Sequence, residues 1–190
     1  MNTNDGKLQK KLSRGALLAC TVEQCAFVGI GWGAISLFAA PVVEELGILR
    51  TEFMVVVSLV SGISGVVNFF VFGPATQKFG VKKFFLFSAA ISTIGWACMA
   101  MCNGVWLLWI GGFLAGVGMG GINGTMINTV VLQWFAKGQA RYLAICAGTG
   151  SVAGIIGSYV FGKLIPAVGF RLPMWIIVGM GVVSCIVIAV

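Results

Sequence analysis

Few side chains in this 190-residue chain can do chemistry, and they are spread thinly along it. Glu23 is an acid inside an apolar stretch, a place where a carboxyl group is costly and can serve as a proton carrier. Ser36, Asn123 and Asn128 carry hydroxyl and amide groups that need a partner or water wherever they lie in hydrocarbon. Trp32 stands four residues before Ser36, on the same helical face, and offers a flat wall with one donor. A polar, basic group interrupts the apolar sequence at Gly73, Gln77, Lys78, Gly80 and Lys82, and Arg141 lies in a second short polar stretch. There is no histidine, so neither a Ser–His nor a Cys–His hydrolytic centre can be assembled, and the chain does not read as an enzyme. Cys98 and Cys102 are one helical turn apart, but no histidine or nearby acid completes a metal site, and no metal or other cofactor is expected. All six cysteines lie in apolar segments, where a free thiol behaves as a small buried hydrophobe.

The elements that must position these groups follow from composition. At 59% hydrophobic and 9% charged residues, the chain carries too few charges for a soluble domain. Apolar runs of about 18 residues or more recur, the signal for membrane-spanning helices. The pattern predicts an all-α membrane protein: a polar tail over residues 1–14, then six helices within a bundle spanning 15–190. The helices are expected at roughly 15–42, 53–72, 84–101, 105–135, 142–165 and from 172 onward. Pro41 is expected to end the first, Gly73 to Lys83 to form a loop, Asn103-Gly104 a tight turn, and 166–171 a turn. The basic start precedes an apolar stretch too long for a cleaved signal segment. The +7 charge sits in short segments beside apolar runs, so it argues for topology and a lipid bilayer rather than for nucleic acid. Nine bases fall on the side of the N-terminus and three on the other, which predicts a cytoplasmic N-terminus in a cell-membrane protein.

Glu23 admits two readings. If the first helix enters hydrocarbon near Gly15, Glu23 lies about 12 Å deep at 1.5 Å per residue and is a proton-coupling or gating group. Alternatively, Thr21-Val22-Glu23-Gln24 is a capping box, the helix starts at Val22, and Glu23 sits at the interface beside the favourable N-terminal dipole.

Glycines are patterned. Gly112, Gly116, Gly120 and Gly124 recur every four residues, and Gly150, Gly154 and Gly157 line a face of the fifth helix, spacing that lets another backbone approach closely. The stretch 116–121 also matches Gly-x-Gly-x-x-Gly, but mid-span and without a preceding strand it is no dinucleotide site. Gly29-Ile30-Gly31-Trp32-Gly33-Ala34-Ile35-Ser36 aligns with Gly116-Val117-Gly118-Met119-Gly120-Gly121-Ile122-Asn123. These segments lie in helices running in opposite directions, as a three-plus-three inverted repeat requires. The register pairs Ser36 with Asn123. Trp32, Ser36, Asn123 and Asn128 are therefore expected to line a pathway between the first and fourth helices, or else to bond neighbouring backbones as interhelical glue.

Two stretches carry a family resemblance. Gly73-Pro74-Ala75-Thr76-Gln77-Lys78-Phe79-Gly80-Val81-Lys82-Lys83 resembles the loop between the second and third helices of the major facilitator superfamily, with Gly73, Lys78, Gly80 and Lys82 on the pattern. Gln77 stands where the family has an acid, and Val81 where a base is usual. Trp134-Phe135-Ala136-Lys137-Gly138-Gln139-Ala140-Arg141-Tyr142-Leu143-Ala144, followed by Gly148, Gly150 and Gly154, resembles the monocarboxylate porter and oxalate/formate antiporter branches, with Cys146 where glycine is common. The stretch from Gly33 to Gly47 is similar to the same branch.

The resemblance implies the N-terminal six-helix half of a twelve-helix transporter. The implied activity is secondary transport of small organic anions by alternating access, with proton coupling or exchange. It also implies that Gly73, Gln77, Lys78, Gly80, Lys82 and Arg141 form a cytoplasmic gate loop, which the residues alone read equally as a topology signal. The last helix ends without a basic flank, so the chain is read as the first half of a longer one, with the missing half or a second copy as partner. A half-size subunit or a non-transporting membrane scaffold is the competing reading. No Asn-Pro-Ala repeat or potassium-filter sequence points to a channel.

Overall fold

The computed structural model describes residues 15–134 and 138–189. The tail over 1–14 and Lys137 of the second basic stretch lie outside them. Six long apolar helices make up the described chain: α1 (Gly15–Leu46), α2 (Arg50–Phe79), α3 (Val81–Ala100), α4 (Val105–Ile122 continued by Gly124–Trp134), α5 (Gln139–Val168) and α6 (Arg171–Ala189). Each is long and apolar enough to cross a membrane, and no strand occurs among the described residues. In hydrocarbon the helix satisfies its backbone groups internally, which is why long apolar runs fold this way.

α1, α2 and α5 run further than sequence patterning predicts, because their prolines do not end them. Pro41 is the third residue of a helical piece, Ala39–Leu46, that restarts after a 3-10 turn at Ile35–Phe38. Pro74 is likewise the third residue of Phe72–Phe79, which restarts after a π-wound turn at Val67–Val71. In the first turn of a restarted helix the missing N–H costs little. The expected loop from Gly73 to Lys83 is therefore helical on both sides and narrows to Gly80. That residue has φ +80°, a left-handed conformation that favours glycine, and its N–H is bonded to Thr76 O at 3.0 Å. Pro166 similarly stays inside α5, and the turn to α6 is made at Gly169 and Phe170. The turn at Asn103-Gly104 is where sequence places it.

The α1–α2 connection is closed by local chemistry. Gly47 ends α1 with φ +62°, and Leu49 N donates to Glu52 Oε2 at 2.8 Å, capping α2. Trp109 Nε1 of α4 donates to Glu52 O at 3.1 Å, tying α4 to the start of α2.

Packing follows a two-fold pattern. α1 lies against α5 and α4 against α2, while α3 packs on both α4 and α6. Exchanging α1–α3 with α4–α6 maps the first two contacts onto each other, the arrangement an inverted repeat produces. The glycine seams are the reason. A Cβ on Gly29 would meet Gly150 O and Ala153 Cβ of α5, and one on Gly116 would meet Leu59 O and Val60 Cα of α2. Gly112 and Gly120 face α2 as well, but Gly124, beyond the break in α4, has open space. In α2 and α5 only 17% of the most apolar window is buried, against 50% in α1 and α4 and 56% in α3, so the mates α2 and α5 present the bundle's open faces.

Candidate functional site

α1 and α4 are irregular at matching places. α1 is π-wound over Gln24–Trp32 and tightens to a 3-10 turn over Ile35–Phe38, which contains Ser36. α4 is broken at Asn123, whose φ −55° and ψ 170° leave the helical region between Ile122 and Gly124. The glycine-rich stretches ahead of both sites have low helix propensity, so departures from regular winding are cheap there. Asn123 holds the new turn together: its Oδ1 accepts Gly124 N–H at 2.8 Å and its carbonyl accepts Met126 N–H at 2.8 Å. In the register that aligns Gly29 with Gly116, Ser36 and Asn123 coincide, and both sit at a disruption. Irregular turns free backbone groups and recur at functional positions.

Ser36, Asn123 and Asn128 are exposed on the bundle, whereas Trp32 is half-buried against the core. Among the described residues no hydrogen bond joins α1 to these asparagines. The repeat relates the two sites by symmetry rather than by contact. Ser158 of α5 donates to Gly33 O at 3.3 Å, occupying a carbonyl in the disturbed part of α1. Sequence patterning missed Ser158; its signal was its place one turn after Gly154 on the glycine face.

Glu23 is 1% exposed and lies inside α1, not at its start. The capping-box alternative fails because Thr21 is already within the helix and its hydroxyl donates to Leu17 O at 2.8 Å. Glu23 Oε2 accepts the Ser184 hydroxyl of α6, and Oε1 is buried with no hydrogen-bond partner. Ser184 was not foreseen, since α6 otherwise reads as uniformly apolar.

The basic group lies at the end of the bundle where α2 meets α3. Gly73, Gln77 and Lys78 are in the last turns of α2, Gly80 is the turn and Lys82 opens α3. Gln77, Lys78 and Lys82 are exposed. Lys78 Nζ lies 5.7 Å from the Phe79 ring centroid, and Lys82 Nζ donates to Ala189 O at 2.9 Å, tying α3 to the last described turn of α6. Arg141 is exposed near the start of α5, and no hydrogen bond or ion pair among the described residues links it to Lys78. At the opposite end Arg171 binds Glu45 Oε1 at 3.1 Å and Asn103 Oδ1 at 3.3 Å, joining α1, the α3–α4 turn and α6. Nearby Cys102, between α3 and α4, has its thiol pushed up by burial, with the Arg171 charge acting against that shift.

A search of curated proteins returned no match. The family model described as Major Facilitator Superfamily matches residues 25–190, a stretch that takes in α2 to α6 and most of α1. With six spanning helices, a repeat-like packing and that match, the chain is a multi-pass membrane protein of the secondary-transporter type and belongs to the Major Facilitator Superfamily.

Proposed function

We propose that the chain forms the N-terminal half of a transporter that works by alternating access. Its substrate is a small organic anion, a mono- or dicarboxylate, moved with protons or in exchange. The observation that carries this reading is the paired disruption of α1 at Ser36 and of α4 at Asn123. Exposed Ser36, Asn123 and Asn128, with Trp32 one turn before Ser36 on α1, supply hydrogen-bonding groups on the two symmetry-related helices and in this reading line the substrate pathway. The piece Gly124–Trp134 begins at the break, and the positive end of a half-helix suits an anionic group. The resemblance around Trp134 to Ala144 supports the organic-anion branch.

Glu23 is the proton-coupling group in this reading, a buried acid with no ion pair among the described residues. The open faces of α2 and α5 receive a second six-helix half, either further chain or a second copy. The N-terminus is cytoplasmic in the cell membrane, with Gly73, Gln77, Lys78, Gly80, Lys82 and Arg141 at the cytoplasmic gate. An impermeant thiol reagent applied to intact cells should fail to label cysteines introduced at Lys78 or Arg141; ready labelling overturns the orientation. The functional test is uptake of labelled mono- and dicarboxylates into proteoliposomes containing the protein as the cell produces it. Uptake should be saturable and depend on a pH gradient or on internal anion, and uptake no faster than in empty vesicles rejects the assignment.

A further inference from the structure

Glu23 lies roughly 20 Å along α1 from Ser36 at 1.5 Å per residue, and its carboxyl is bonded to α6 rather than turned toward α4. The site is built from three helices. Glu23 Oε2 accepts the hydroxyl of Ser184, which is fully buried, while Oε1 is sealed without a partner. Thr93 of α3 stands alongside, its hydroxyl donating to Ala89 O at 2.8 Å. Gly181, one turn before Ser184, has no room for a side chain because Thr93 Oγ1 and Phe27 Cζ fill the space.

The titratable groups facing Glu23 are all thiols. Cys20 lies on α1 and Cys185 on α6, with Cys146 of α5 beyond Cys20; α3 contributes the hydroxyl of Thr93, beside Gly181 and Cys185. The one ion pair among the described residues, Glu45–Arg171, is at the other end of the bundle. Apolar grooves flank the contact. One of about 480 Å³ lies between α1 and α6, lined by Thr21, Cys25, Gly179 and Val183. One of about 390 Å³ lies between α3 and α6, lined by Thr93, Val182 and Cys185. α6 is thus bordered by an open surface groove on either side of its Ser184 turn.

We infer that Glu23 and Ser184 form a proton-dependent clasp between α1 and α6, with Ser184 as the positioning residue for the acid. The inference deepens the reading of Glu23 as the coupling group and rests on it. The two charge states make different demands. A neutral carboxyl is satisfied at Oε2 by one hydroxyl, and a lone O–H costs far less to leave bare than a charge. A carboxylate needs further donors at Oε1, which has no hydrogen-bond partner. Breaking the carboxyl O–H bond and passing the proton to water therefore requires water to enter, and the grooves let α6 move aside to admit it. Uptake of a proton from water restores the O–H bond and closes the clasp. Proton binding is in this way converted into the spacing of α6.

Infrared difference spectroscopy on the protein in lipid nanodiscs, titrated with acid and base, tests this without any transport assay. A carboxyl carbonyl band should vanish as the pH rises and be missing from Glu23→Gln. In Ser184→Ala it should move to higher frequency, because the donated hydrogen bond is gone, and Ser184→Thr should restore it. Intrinsic hydrogen exchange being corrected for, amides of α6 around Ser184 should exchange several-fold faster on the alkaline side in the wild type, but not in Glu23→Gln. A band that ignores Ser184→Ala removes the positioning role. A band that persists in Glu23→Gln, or α6 exchange that ignores pH, overturns the clasp. Failed uptake of every anion, with these spectra as expected, would reject the transport assignment and leave the clasp standing.

Discussion

The two three-helix units, α1–α3 and α4–α6, share their framework and differ in their chemistry. Both use a glycine face to bring a backbone close: Gly29 and Gly33 of α1 against α5, Gly116 and Gly120 of α4 against α2. Both disturb their first helix at the same aligned position, Ser36 in one and Asn123 in the other. They part at Glu23. Continuing the register, its counterpart on α4 is Ile110, which is 53% exposed where Glu23 is sealed against α6. The glycine seams and the paired disruptions obey the two-fold relation, and the buried acid departs from it. α3 and α4 add a second asymmetry: their backbones run so close that a Cβ on Gly95 would strike Ala115 and Gly111, and one on Gly118 would strike Ser92 and Ser88.

The largest effects should come from breaking the framework. Gly95→Val and Gly118→Val place carbon against Ala115 and Ser92 backbone, which cannot yield as a flexible side chain does. Each should cost about 3 kcal/mol or more and abolish recovery of monodisperse protein in mild detergent. Gly29→Val and Gly116→Val should both be severe, since each fills one of the two related seams. If one were harmless, the seams would not be equivalent. Gly62→Ala and Gly148→Ala meet nothing within 4 Å and should leave thermal stability unchanged or raised by up to about 1 kcal/mol.

The next effects concern function with the fold intact. Asn123→Leu removes both the side chain that holds the break and the polar group at it. Uptake, measured as kcat/KM, should fall about tenfold or more, roughly 1.4 kcal/mol. Ser36→Ala should do less, because its turn is held by backbone bonds. Glu23→Gln should flatten the pH dependence of uptake, whereas Ile110→Gln, at the related position, should not alter it. Equal effects of that last pair would erase the asymmetry drawn above.

What the sequence made legible divides along the same line. Six helices and the α4 and α5 glycine faces were readable, because periodicity and small-residue spacing encode packing directly. The ends of α1, α2 and α5 were not. Pro41, Pro74 and Pro166 look like terminators, and only the irregular turns before Pro41 and Pro74 show why two of them are tolerated. Glu23 could be singled out by its type, but its setting depended on whether Thr21 capped a helix or lay within one. That is decided by where the helix begins. Ser184 and Ser158 were invisible because a lone serine in an apolar helix is unremarkable until its partner is known.

The smallest effects belong to the two ends of the bundle, where polar ties replace glycine seams. Arg171 reaches Glu45 and Asn103, but both members of the ion pair are 47% exposed, so water screens much of its attraction. Arg171→Ala should destabilise by at most about 1 kcal/mol, which scales to a Tm decrease of about 2–4 °C. Most of that difference should disappear in concentrated salt. Lys82 makes one bond, to the Ala189 carbonyl in the last described turn of α6, from an exposed side chain. Lys82→Ala should therefore shift Tm by less than Arg171→Ala does. Thermal melts of both variants at low and high salt give the comparison. If Lys82→Ala proves the more damaging, the end where α2 meets α3 contributes more to holding α6 than its single bond implies, and the ranking of the two ends reverses.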